Sequence, residues 1–165
     1  MSDRTIVDRL QPSLLDRLVD QAPDRTVDGP DDRLIDLRRL REIIRRDLGW
    51  LLNSTNNERE IDPEVYPHAA RSVLNFGVEE VAGDYNTLDR ALRIRASIRK
   101  AVERFEPRLS QGTLDVVLRQ DEKLSQAVVV FDIHADMWAQ PVPMELYLRS
   151  RIDLTTGQVA LERVG

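Results

Sequence analysis

Apolar residues recur along this chain with two different periods, and the change between them falls near residue 107. Over residues 32–52, Leu34, Leu37, Ile44, Leu48 and Leu51 return at steps of three or four with Leu40 between them. This predicts a helix opened by Pro30 and the Asp31-Asp32 pair. Arg38, Arg39, Arg41, Arg45 and Arg46 take its remaining surface, either as a solvated, ion-paired face or as a patch for a partner. The stretch NSTNNEREIDPEVYP (53–67) is turn chemistry throughout. Pro67 is placed to start a short helix over 68–75, and Gly77 to end it through the left-handed conformation. After the polar link AGDYN, Asn86 or Thr87 can cap a second long helix over 87–105, with Asp89 in its first turn. Its stripe is Leu88, Ala91, Leu92, Ile98, Ala101, Val102 and Phe105. Pro107 then stops the helix, because the residue before a proline is pushed out of the helical region.

Beyond that stop the period is two. Leu114, Val116 and Leu118 share a face in TLDVVLRQ, as do Val129, Phe131, Ile133 and Met137 in QAVVVFDIHADMW. ELYLRSRIDL follows with Leu146, Leu148, Ile152 and Leu154, and TTG (155–157) turns into a last strand bearing Val159 and Leu161. The short links predict an α+β fold, with N-terminal helices packed on one face of a C-terminal antiparallel meander of three to four strands. For the apolar residues of the central hairpin to share a face, paired residue numbers must sum to an odd value. The same register sets Asp132 and His134 on the face of Arg149 and Arg151.

The first 30 residues are polar and read as a flexible or partner-docking segment ahead of a single domain, 31–165. Asp-Arg recurs there at 3–4, 8–9, 16–17 and 24–25, which we ascribe to composition. Within PSLLDRL (12–18), Leu14, Leu15 and Leu18 fall on one helical face led by Pro12 and Ser13. That face is either folded back on the domain or offered to a partner.

Composition narrows the chemistry. At 165 residues one domain is expected, and the net charge of -5 is spread over mixed charges, giving no concentrated positive surface for nucleic acid. There is no cysteine for a thiolate site or a disulfide, which suits a reducing cytosol. Neither a signal-peptide core nor a membrane-spanning run is evident, so a soluble protein is expected. Asp132-x-His134-x-Asp136 projects three candidate ligands from one strand face, but tetrahedral zinc would need more from elsewhere and no second cluster offers it. Seven glycines and no G-x-S-x-G elbow argue against phosphate cradles and acyl transfer. A carboxylate pair such as Glu80 and Asp89 arises by chance in so acidic a chain, without a sugar cleft. No metal, cofactor or catalytic residue is predicted.

RDLGWLLN (46–53), SVLNFGV (72–78), FEPRL (105–109) at the helix stop and DLTTG (153–157) in the closing sheet together resemble the TssE family. These are baseplate subunits of bacterial type VI secretion, similar to a wedge protein of contractile-phage baseplates and historically labelled lysozyme-like. The resemblance runs from about residue 12 to the C-terminus, and FEPRL is its most specific piece. Ser54-Thr55 depart from the Thr-Arg expected after LLN, so that loop is assigned no role.

The resemblance implies a non-enzymatic structural part that joins TssF, TssG and TssK in the wedge and gives the TssB–TssC sheath its first template. It implies a place on the cytoplasmic side, at the inner face of the inner membrane through the secretion complex. It implies a fold like the sheath domain through which neighbours exchange strands, and an open sheet edge can accept such a strand. It also makes Glu106, Pro107, Arg108 and Leu109 contacts for neighbouring subunits: Pro107 locks the geometry, Glu106 meets a partner cation and Arg108 offers its planar fork to a partner carboxylate. Read from the residues alone, Glu106 and Arg108 are equally solvated charges at a helix end. Two alternatives stay open: a wedge protein of a phage tail or related contractile machine, and a muramidase.

Overall fold

The computed structural model describes residues 13–19, 23–25, 35–80, 87–119, 128–138 and 143–163. The change of period at residue 107 is a change of layer. Before it lie α1 (Leu14–Leu18), α2 (Leu37–Leu52), α3 (Pro67–Arg71) and α4 (Thr87–Phe105). After it come β1 (Asp115–Leu118), β2 (Val128–Met137), β3 (Met144–Asp153) and β4 (Val159–Arg163). The strands form one antiparallel sheet in the order β1-β2-β3-β4.

Helix α2 begins at Leu37 rather than at 32, because the Asp36 carboxylate accepts the Arg39 N–H at 2.7 Å and caps it there. Pro12, Pro30, Asp31, Asp32, Leu34 and Asn86 lie outside the described residues. The helix expected over 68–75 is divided: Ser72 is extended, and its side chain caps a separate 3₁₀ turn, Val73–Asn75. Gly77 does not end a helix. Its φ of +120° lets the backbone pass Ser54, whose carbonyl oxygen would lie 2.2 Å from a Cβ at that position. The close approach allows the parallel bridge between Thr55 and Val78.

The core lies between α2, α4 and one face of the sheet, and centres on Ile44, Leu48, Ile98, Phe131, Ile133 and Leu148. Leu88 and Leu92, expected in the α4 stripe, are exposed, and Ile94 is buried instead. At 100° per residue they stand about 90° and 130° from the centre of the buried row formed by Ala91, Ile94, Ile98, Ala101 and Val102. In the central hairpin Val129 faces Ile152, Ile133 faces Leu148 and Asp132 faces Arg149, so paired numbers sum to an odd value as the apolar pattern requires.

On the opposite sheet face Asp132 is buried. Its Oδ1 accepts from Arg149 Nε at 2.9 Å, and its Oδ2 accepts from the Tyr147 hydroxyl at 2.8 Å and Arg119 Nη1 at 3.2 Å. Burial raises its proton affinity, but these hydrogen bonds outweigh that and hold the carboxyl below the usual range. His134 stacks on Tyr147 with ring centres 4.0 Å apart. Among the described residues no group of three or more His, Cys, Asp or Glu side chains could hold a metal ion.

Candidate partner-binding site

Helix α4 runs into FEPRL and stops there, and of the four residues after Phe105 the outer two turn inward and the middle two outward. Glu106 and Leu109 are each 3% exposed, whereas Pro107 is exposed and the Arg108 side chain remains 29% exposed. The Glu106 N–H still donates to Val102 O at 2.9 Å, and the Leu109 N–H donates to Glu106 O at 3.2 Å, making a tight turn around Pro107. Leu109 then bridges Met137 at the end of β2. The Trp138 N–H donates to Arg108 O at 2.7 Å and the Ser110 N–H to Asp136 O at 2.8 Å. Leu109, expected among the partner contacts, therefore belongs to the core. Its backbone stitches the helix end to the sheet.

The charges are arranged within the chain. Arg108 Nε donates to Glu106 Oε1 at 2.6 Å and Nη2 donates to Glu106 Oε2, so the carboxylate expected to meet a partner cation is held by Arg108. The same Nη2 donates to Asp47 Oδ2 at 2.7 Å on α2. Burial alone would weaken the hold of Arg108 on its proton, but Glu106 and Asp47 outweigh it and raise its proton affinity. Asp47 Oδ1 in turn accepts from Arg46 Nε at 2.9 Å and Nη2 at 2.7 Å. Arg46 then forks onto Asp16 of α1, Nη1 to Oδ1 at 2.6 Å and Nη2 to Oδ2 at 2.9 Å. That hydrogen bonding holds the Asp16 carboxyl at about 2 against the opposing effect of burial. Five charges thus connect α1, α2 and the end of α4.

Helix α1 meets the domain through this polar side. None of its residues is buried, and Leu14, Leu15 and Leu18 are 72%, 46% and 74% exposed. Of the two placements open from the sequence, the leucine face is the one turned outward.

SVLNFGV braces the end of α4, whereas DLTTG closes the far end of the sheet, where Asp153 pairs with Val128. Phe76 of SVLNFGV packs edge-on to Phe105, with ring centres 5.2 Å apart. Arg104 Nη1 donates to Ala70 O at 2.6 Å, and the buried Asn75 side chain donates to the same carbonyl at 3.0 Å. In DLTTG the Asp153 carboxylate accepts from the N–H groups of Thr155 and Thr156, which lowers its pKa, and Gly157 takes φ +73° to close the turn into β4.

A family model described as baseplate wedge protein gp25 matches residues 38–142. The chain belongs to that family. No curated protein and no solved structure gives a match. The matched span of this gp25-family chain holds Arg46, Asp47, Glu106 and Arg108, while α1, β3 and β4 lie outside it. Membership makes the protein a baseplate component that associates with other baseplate subunits. Sequence reasoning found RDLGWLLN and FEPRL as separate motifs but missed that Asp47 and Arg108 join them, and it ascribed the Asp16-Arg17 pair to composition. Nothing local signals a pairing across 61 residues.

Proposed function

We propose that this chain is a non-enzymatic structural subunit of a type VI secretion baseplate wedge that helps nucleate the contractile sheath. Its partners on this reading are TssF, TssG and TssK in the wedge and TssB and TssC in the sheath. The observation that carries the reading is the mounting of Arg108. Its backbone is pinned to β2 and its guanidinium is braced by Glu106 and Asp47. Among the described residues its Nη1 makes no hydrogen bond. A cation fixed this way loses little conformational freedom when a partner carboxylate arrives, which is how preorganisation favours assembly. Glu106 and Leu109 act here as the frame, and Pro107 and Arg108 as the contact.

The sheet edge supports a templating role. Asn53 pairs its side-chain amide with both the N–H and the C=O of Val159, each at 2.9 Å, and so covers the start of the outer edge of β4. Leu161 and Arg163, two and four residues on, turn their backbone groups to the same side, where β4 is the last strand of the sheet. Residues 1–30 serve as a docking segment. Among the described residues no helix is long and apolar enough to cross a membrane, and the proposed place is the cytoplasmic face of the inner membrane, held through the complex.

The match to a structural baseplate family supports the non-enzymatic reading over a muramidase. The gp25-family match also suits a phage-tail wedge. Co-expression of the chain with TssF, TssG and TssK tests the proposal: a stable wedge complex is expected. A chain that purifies alone beside those subunits, yet joins phage-tail baseplate proteins, would replace the reading with the phage one.

A further inference from the structure

We infer that the leucine face of α1 and Arg108 are two parts of one docking site for a single partner subunit, joined through Arg46 and Asp47. The inference rests on the proposed wedge function and adds which surfaces act together. Leu14, Leu15 and Leu18 belong to the N-terminal segment and Arg108 to the connection after α4, and nothing in the sequence pairs them. In the fold, Arg46 and Asp47 link Asp16 to Arg108: Arg46 forks onto Asp16, and Asp47 shares its two oxygens between Arg46 and Arg108. A standard interface covers about 800 Å² on each partner, a patch wider than three consecutive ion pairs. Both elements fall inside one such footprint.

The occupant follows from what this surface presents. Helix α1 turns three exposed leucines outward, and exposed Trp50, with the Arg46 guanidinium 4.7 Å from its ring centre, adds apolar surface on the α2 side of the latch. At the far end of the network, among the described residues, Arg108 keeps Nη1 free of hydrogen bonds. The complementary partner is a folded protein subunit with an apolar groove for the leucines and Trp50 and a carboxylate on its rim facing Arg108. Asp16 is a positioning residue: it holds α1 in the presenting orientation and leaves the leucines to touch the partner.

The test uses the full-length chain and each wedge subunit encoded beside it, purified singly, with affinity measured by titration. Leu15→Ala, Arg108→Lys, their double variant and Asp16→Asn are compared, and each thermal midpoint is recorded. One subunit should bind the wild type, and both contact variants should weaken binding of that same subunit. The double variant should weaken binding of that subunit further than either single variant, by up to the product of the two effects. Asp16→Asn should weaken it about fivefold while the chain still melts as a folded protein, because unlatching α1 lowers the fraction of chains in the competent arrangement. Loss of different subunits, or full affinity in Asp16→Asn, would overturn the single-site inference and leave the wedge function standing. A wild type that binds none of these subunits would overturn both.

Discussion

Arg108 turns back on Glu106 across Pro107, so that a cation three residues beyond a helix end covers a carboxylate that the fold has buried. Each needs the other. The carboxylate would otherwise be an uncompensated buried charge, and the guanidinium would otherwise be a loose surface side chain.

Removing either member should therefore destabilise the isolated domain while leaving it folded. Breaking a buried pair costs about 3–5 kcal/mol. Arg108 is part-exposed and keeps Asp47, so Glu106→Ala should cost about 2–3 kcal/mol by urea unfolding. Arg108→Ala, which strands the buried carboxylate, should cost about 3–4 kcal/mol. A Glu106→Ala variant within experimental error of wild type would contradict the buried-pair account.

The leucines of α1 should behave in the opposite way. Replacing Leu14, Leu15 and Leu18 together by alanine removes exposed surface, and each change should stay within about 0.5 kcal/mol. Ile44→Ala, in the core of α2, should lose about 2–5 kcal/mol in the same unfolding measurement. Comparable losses from the two variants would mean that α1 is packed rather than presented.

Two glycines of the resemblance motifs should respond with opposite signs. Gly77→Ala would place a Cβ 2.2 Å from a backbone oxygen at φ +120°, and should destabilise by more than about 2 kcal/mol. Gly49, inside α2, has nothing within 4 Å of such a Cβ, and Gly49→Ala should stabilise by about 0.5–1 kcal/mol. Thermal melts of the two variants decide both signs.

The α1 latch should release only in strong acid. Hydrogen bonding to Arg46 depresses the folded-state pKa of Asp16 from 3.8 to about 2. A depressed carboxyl pKa contributes stability that is present above the unfolded value and is lost as pH falls through the folded one. The contact should hold from neutral pH down to about 4 and fail between there and about 2. A carboxyl-carbon NMR titration of Asp16 reads this directly, and an ordinary aspartate midpoint would show that the fork is not formed in solution.

The layers were legible because burial on one face leaves a period: 3.6 in α2 and α4, two in the strands, and an odd pairing sum in the central hairpin. The α4 boundaries at Thr87 and Phe105 followed from its stripe and from Pro107. The start of α2 did not, because Pro30 and Asp31-Asp32 carry the same start chemistry as Asp36, and only the folded chain selects among them. FEPRL stood out as a motif, yet its split into an inward frame, Glu106 and Leu109, and an outward pair, Pro107 and Arg108, depends on the bridge between Leu109 and Met137. Asp47 and Arg46 were hidden for the same reason. Ion pairs between distant segments leave no periodicity.

The most direct test of the central claim is to count sheaths in cells carrying fluorescent TssB, after deleting this chain and restoring it as wild type or as Arg108→Lys. The account predicts no sheath without the chain, recovery with wild type, and markedly fewer sheaths with a folded Arg108→Lys protein. Sheaths of ordinary number and length in the deletion strain would contradict it.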